Sequence, residues 1–176
     1  MDKILLVIDY QNDFVNGALG FDGAELLDDK IATKIKEYGK DRVFYTQDTH
    51  YDDYLSTREG KNLPIIHCID GTFGWGIFGD TKTALEEVCA MAFKKTSFGL
   101  DITDEIRKKL PNNVDEIEIV GLVSNICVIS NAVIFQTIYP NAQIVIDANL
   151  TASFDNSLNE KTLDVLKGLQ VKILNR

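Results

Sequence analysis

The 176 residues fit one domain, and their 45% hydrophobic content supplies enough apolar material for a sizeable core. A formal charge of -9 at pH 7 would repel phosphate backbones and anionic lipid, so nucleic acid and membrane surfaces are excluded as natural partners and a small neutral molecule is favoured. Three cysteines, Cys68, Cys89 and Cys127, form no CxxC pair, which speaks against a disulfide framework or a thiolate zinc site and for a reducing compartment.

In chain order, the apolar run at residues 4–8 is too short for a signal peptide or a spanning helix, so a cytoplasmic protein is expected. The run reads as a strand that stops abruptly at Asp9. Residues 24–38 follow as a helix with Leu27, Ile31, Ile35 and Tyr38 on one stripe. A second strand, 43–46, leads into Asp48 and His50. Residues 48–79 are the long irregular stretch, and such loops in compact domains are functional or carry structure of their own. Beyond it come a helix over 81–89, a strand over 91–93 ended by Lys94 and Lys95, and a helix over 103–110 with Thr103 as N-cap. The chain closes with strand 117–121, helix 126–138, strand 144–146, helix 158–169 and strand 171–174.

This alternation predicts an α/β fold with a parallel sheet, in a single domain over residues 1–176. Its strands are apolar throughout instead of alternating, as a sheet covered on both faces requires, so a three-layer α/β/α sandwich follows. Ligands of open α/β sheets sit beyond the carboxyl ends of the strands. The residues there are Asp9, Asp48, Lys94 or Lys95, the turn 122–127, and Asp147.

Cys127 follows a strand and opens a helix, where the positive helix N-terminus favours a thiolate over a free thiol of pKa ~8.5. The competing reading is a buried small hydrophobe, and Asp9 could equally bond the turn that follows it. Successive strand residues face opposite ways, so only one of Lys94 and Lys95 can face a cleft. A carboxylate, an ammonium and a thiol together make a nucleophile set. Both histidines of the chain, His50 and His67, fall within 20 residues of Asp48 and Glu59, a donor set suited to zinc, iron or manganese with positions left open for water or substrate. The alternative is two surface histidines beside acidic loop residues, since no HExxH spacing is present.

Six blocks carry a resemblance. They are residues 5–14, holding Asp9 and Gln11-Asn12-Asp13-Phe14; 45–50, ending in Asp48-Thr49-His50; 59–64, from Glu59 to Pro64 and on to His67-Cys68; Gly71-Thr72 with Gly74-Trp75; Lys95-Thr96-Ser97-Phe98-Gly99; and 121–128 around Cys127. In content and order they resemble the isochorismatase-like cysteine hydrolases, and within them the nicotinamidases. The resemblance implies an Asp-Lys-Cys triad of Asp9, Lys95 and Cys127, with Lys95 preferred to Lys94 because the family lysine stands three residues before a phenylalanine, here Phe98. It implies a six-stranded sheet of order 3-2-1-4-5-6 and a metal site of Asp48, His50 and His67 joined by Glu59. Zinc is the first expectation there, iron or manganese the alternatives, with no organic cofactor. Phe14, Trp75 and Phe98 become walls for a flat ring, Leu122 and Val123 flank a non-proline cis peptide, and the N–H groups of Val123 and Cys127 form an oxyanion hole. The activity implied is hydrolysis of nicotinamide to nicotinate and ammonia, in a protein that can self-associate as relatives do. One departure is Asn125, where many relatives carry aspartate. Rival readings are another carboxamide or carbamoyl hydrolase, a relative that keeps the site without the activity, and a non-catalytic binding module. The segment after the first strand is not a glycine-rich phosphate loop, which weakens the nucleotide-binding form of that last reading.

Overall fold

Six strands pair side by side, all parallel, in the computed structural model, which describes residues 2–176. They are β1 (Lys3–Ile8), β2 (Val43–Asp48), β3 (Met91–Lys95), β4 (Glu116–Leu122), β5 (Gln143–Ala152) and β6 (Lys172–Leu174), and their order is β3-β2-β1-β4-β5-β6. Among the described residues seven α-helices connect and flank them: α1 (Asn12–Val15), α2 (Asp28–Tyr38), α3 (Arg58–Asn62), α4 (Gly79–Glu87), α5 (Asp104–Lys109), α6 (Ile129–Ile138) and α7 (Asn156–Gly168).

The two faces of β1 explain the layering. Ile4, Leu6 and Ile8 join one buried cluster with Ala132 and Phe135 of α6 and Leu163 and Leu166 of α7. Leu5 and Val7, pointing the other way, join a second cluster with Ile31 and Ile35 of α2 and Ala84 and Leu85 of α4. A strand apolar at every position from Ile4 to Ile8 fits between two such layers. Neighbouring strand ends also approach closely. Gly121 has φ 109°, and a Cβ there would fall 2.1 Å from the Ile8 carbonyl oxygen, so β4 can lie this near β1 only without a side chain.

Several boundaries differ from the periodic pattern for local reasons. The first long helix opens with a 3-10 turn, Ala24–Leu27, behind Gly23 at φ 94°, before α2 begins. Thr103 does cap α5, its hydroxyl accepting from Ile106 N at 3.3 Å. The helix expected from residue 126 starts instead as a π-helical segment, Ser124–Val128, ahead of α6. The irregular stretch at 48–79 carries the 3-10 turn Tyr54–Ser56, α3, and two isolated bridges, Gln11 with Ile77 and His50 with Ile69. Among the described residues no helix is long and apolar enough to cross a membrane.

Candidate active site

Four adjacent strands, β3, β2, β1 and β4, deliver their carboxyl ends to one place, where the winding of the sheet reverses direction. Asp9 directly follows β1, and its φ of 44° turns the chain sharply. Thr46 on β2 holds it from both sides: the hydroxyl donates to Asp9 Oδ1 at 2.7 Å and accepts from Asp9 N at 3.3 Å. Lys95 ends β3, and its Nζ reaches Asp9 Oδ2 at 2.7 Å, Asp48 Oδ1 at 3.0 Å, the Ser97 carbonyl at 2.9 Å and Cys127 Sγ at 3.6 Å. Asp9, Lys95 and Cys127 are 0%, 3% and 5% exposed, so the set is shielded from water. Lys94 sits on the surface, paired with Asp70, which settles which lysine faces inward.

Burial governs the charge states. It pushes the Asp9 carboxyl above the usual carboxylate range against the pull of Lys95. Burial also pushes the Cys127 thiol well up, and Lys95 only partly offsets this, while the nearby Asp9 and Asp48 carboxyls raise it further. For Lys95 burial works against the charge, but Asp9, Cys127 and Asp48 together hold the ammonium well above its ordinary value. The helix-terminus field expected to favour a thiolate meets an opposing effect: Cys127 lies in the π-helical segment before α6, and burial pushes its thiol up. The arrangement places a lysine ammonium between two carboxyl groups and within 3.6 Å of the Cys127 sulfur.

A second cluster adjoins the first through Asp48. The carboxylate sends Oδ1 to Lys95 and Oδ2 toward the histidines, 2.9 Å from His50 Nε2 and 3.6 Å from His67 Nε2. Glu59 Oε1 lies 3.7 Å and 3.9 Å from the same two nitrogens. One donor atom from each of Asp48, His50, Glu59 and His67 falls within 4.8 Å of every other. His50 Nε2 is buried without a hydrogen-bond partner, and His67 turns Nδ1 to the Ile65 carbonyl at 2.7 Å, leaving its Nε2 to face the cluster. Buried nitrogens and carboxylate oxygens converging without hydrogen bonds of their own fit a shared cation, and two imidazoles with two carboxylates suit a borderline divalent ion. Although burial opposes it, contact with His50, His67 and Lys95 holds the Asp48 carboxyl far below the usual range, so it is ionised.

A cavity of about 640 Å³ opens onto both clusters, lined among others by Cys127, Val123, Asp48, Glu59 and His67. Phe14 and Phe98 line this cavity, and the Leu122-Val123 peptide is cis. Trp75 is a correction. It does not line the cavity; its indole N–H donates to Thr49 Oγ1 at 2.9 Å and Lys94 Nζ lies 4.7 Å from its ring, so it braces the loop instead. Leu19, Leu63, Ile126 and Phe154 complete the apolar lining, and no periodic signal in the sequence marks them. Asp147 is not brought to the site; it accepts from Asn149 N and Asn175 Nδ2 within and beyond β5.

The segment after Asp9 does more than turn. Gln11 clamps the backbone of Asp48, its Oε1 accepting from Asp48 N at 2.7 Å and its Nε2 donating to Asp48 O at 2.9 Å. Asn12 Nδ2 donates to Phe73 O at 2.6 Å, and Asp13 Oδ2 accepts from Cys68 N at 2.7 Å, fixing the turn that presents His67. Gly74 has to lack a side chain, because its Cβ would fall 2.2 Å from that Asp13 carboxylate.

Comparison with known proteins agrees with this geometry. A family model described as the isochorismatase domain matches residues 3–175. The structure is similar to nicotinamidase PncA from Bacillus subtilis, at 28% identity and a TM-score of 0.81, over 99% of this chain and 100% of that one. In fold it is also similar to a pyrazinamidase/nicotinamidase from Streptococcus mutans, at 23% identity and a TM-score of 0.81, over 98% and 99% of the two chains. A further likeness of fold is to a pyrazinamidase of Pyrococcus horikoshii solved in complex with zinc, at 21% identity and a TM-score of 0.80, over 100% of both. No curated protein matches the sequence.

Proposed function

The chain belongs to the isochorismatase family, and from that premise we propose that it is an amidohydrolase cleaving nicotinamide to nicotinate and ammonia through a cysteine thioester. The observation that carries the reading is the meeting of Asp9, Lys95 and Cys127, each from a different strand end, with Lys95 Nζ at 2.7 Å from the carboxylate and 3.6 Å from the sulfur. Aromatic walls beside them and the nicotinamidase likeness support a flat carboxamide as substrate.

Asp9 takes the proton of the Cys127 thiol as sulfur attacks the carboxamide carbon, and Lys95 offsets the negative charge that then resides on sulfur and carboxylate. The carbonyl oxygen becomes an oxyanion facing the N–H groups of Val123 and Cys127; each such donor contributes on the order of 10²–10³ in rate. Asp9 returns the proton to nitrogen, the carbon–nitrogen bond breaks, and ammonia leaves a thioester on Cys127. Water, deprotonated by Asp9, then cleaves the carbon–sulfur bond, releasing the acid and restoring the thiol. Asp48, His50, Glu59 and His67 would hold a divalent ion, zinc first among candidates, supplying a Lewis acid for the pyridine nitrogen and for ring orientation.

The test is ammonia release from nicotinamide with and without added zinc, iron or manganese, in the native protein and in Cys127→Ala. Native turnover and a loss of at least about a thousandfold in a folded Cys127→Ala are expected. Undiminished turnover in that variant ends the covalent mechanism, and native protein that binds no metal ends the assignment of the second cluster. The volume of the cavity, about 640 Å³, favours a second reading, a bulkier carboxamide, which a panel of amides with the same ammonia assay would separate from the first.

A further inference from the structure

Asn131 lies in α6, fully buried, one turn beyond Cys127, and no step above uses it. Its amide is nevertheless engaged on both sides. Nδ2 donates to the Cys127 carbonyl at 2.8 Å and to the Phe98 carbonyl at 3.2 Å, while Oδ1 accepts from Leu100 N at 3.0 Å. Both amide protons and one oxygen lone pair are thereby spent on backbone, none on solvent. The loop so gripped is the one after β3: it supplies the Ser97 carbonyl that accepts from Lys95 Nζ, and Phe98 walls the cavity. The same loop presses on α6, since a Cβ on Gly99 would stand 2.4 Å from Ile134 Cδ1.

In the sheet, β3 and β4 are separated by β2 and β1, so no strand pairing links the lysine's strand end to the cysteine's turn. Asn131 makes that link directly, backbone to backbone. We infer that Asn131 is a positioning residue that locks the Cys127 turn to the Lys95 loop, setting the sulfur–ammonium approach and the place of the Phe98 wall. The inference rests on the hydrolase reading, but its test does not depend on the substrate being nicotinamide.

Three variants decide it. Asn131→Leu removes all three hydrogen bonds at similar volume. Asn131→Thr is milder: its hydroxyl can still donate to the carbonyl four residues back, on Cys127, but the loop is released. Thr137→Ala, exposed on the same helix, is the control. Two rates are measured on folded protein: kcat and KM for ammonia release, and alkylation of Cys127 by iodoacetamide, resolved from exposed Cys89 by peptide mass. Displacement of a reacting group by about 1 Å costs on the order of a hundredfold, so both Asn131 variants should change kcat and the Cys127 alkylation rate by about ten- to a hundredfold, with the smaller effect in Asn131→Thr and little change in KM. Thr137→Ala should match native protein. Lower melting with both rates within about twofold of native would make Asn131 merely structural and overturn the inference. If Asn131→Leu does not fold, Asn131→Thr carries the decision by the same criterion. Native protein that leaves nicotinamide intact removes the substrate reading, while the alkylation rates still decide the role of Asn131.

Discussion

Replacing each of two adjacent lysines by methionine should give opposite results. Methionine keeps most of the volume and removes the charge. In Lys95→Met, two buried carboxylates lose the ammonium that stood 2.7 Å from Asp9 and 3.0 Å from Asp48, and the Ser97 carbonyl loses its donor. Removing one partner of a buried ion pair costs about 3–5 kcal/mol. For a domain of this size each kcal/mol moves the melting temperature by about 2–4 °C, so a fall of about 6–20 °C is expected. Part of the cost is relieved by protonating Asp9, which burial already favours. A carboxyl whose folded pKa is raised holds a proton the unfolded chain has released, so stability drops as pH rises above the ordinary carboxylate value, and the loss should be larger at neutral than at acidic pH. Lys94 faces solvent, with Asp70 at 2.7 Å and the Trp75 ring at 4.7 Å. Exposed contacts of these kinds are worth about 0.5 kcal/mol each, so Lys94→Met should fall only about 2–4 °C. Thermal melts followed by circular dichroism give the first readout and ammonia release the second, with turnover lost in Lys95→Met and kept in Lys94→Met. Equal melting shifts, or turnover surviving in Lys95→Met, would refute the reasoning.

Gln11→Leu leaves the buried Asp48 N–H unpaired, at a cost of about 1–3 kcal/mol, and frees the carboxylate that faces His50 and His67 to move. Metal titration should show affinity lower by about 10–100-fold, and unchanged affinity would remove Gln11 from the support of the cluster. Asp48→Asn and His67→Ala should both release metal, but only Asp48→Asn removes a Lys95 partner, so Cys127 alkylation should change in the first and stay within about twofold in the second. Equal alkylation rates in the two would show that Asp48 does not link the clusters. Burial pushes the Tyr10 and Tyr38 hydroxyls well above their ordinary value, and each donates a hydrogen bond, to Ala24 O and to Glu118. Their contribution is complete below about pH 10 and is lost as pH rises, because the unfolded chain gives up the protons first. Urea unfolding across that range should show the decline, and Tyr38→Phe should flatten it.

What the sequence reveals and what it conceals divide along a physical line. The apolar run ending at Asp9 is legible because burial on both faces leaves no alternation, whereas β3, at the sheet edge, exposes Met91, Ala92 and Lys94 and buries Phe93 and Lys95. The pairing of Asp48 with His50 is legible because an extended backbone repeats every second residue, and the bridge from His50 to Ile69 keeps it extended. Trp75 reads wrongly because an indole suits a ring pocket and a hydrogen-bonded brace equally, and only tertiary contact with Thr49 separates the two. The opposing effect of burial on the Cys127 thiol is not legible, because position along a helix carries no measure of desolvation. Gln11, Asp13 and Asn131 escape notice as working residues because their partners include backbone groups 31 to 55 positions away, which leave no pattern in the chain.

Those backbone tethers bear on why the arrangement can function at all. Asp48 gives one oxygen to the lysine of the first cluster and the other to the histidines of the second, so an error in its place disturbs both. A loop as long as 48–79 would lose much conformational entropy in holding that place by its own contacts. Here Gln11, Asn12 and Asp13, anchored to the end of a central strand, hold Asp48, Phe73 and Cys68 in turn, so the order of the loop is borrowed from β1. A buried central strand thus sets the geometry of the long loop beside it, and Asp9, at the head of that series, precedes the same turn that tethers Asp48 and the segment carrying His67.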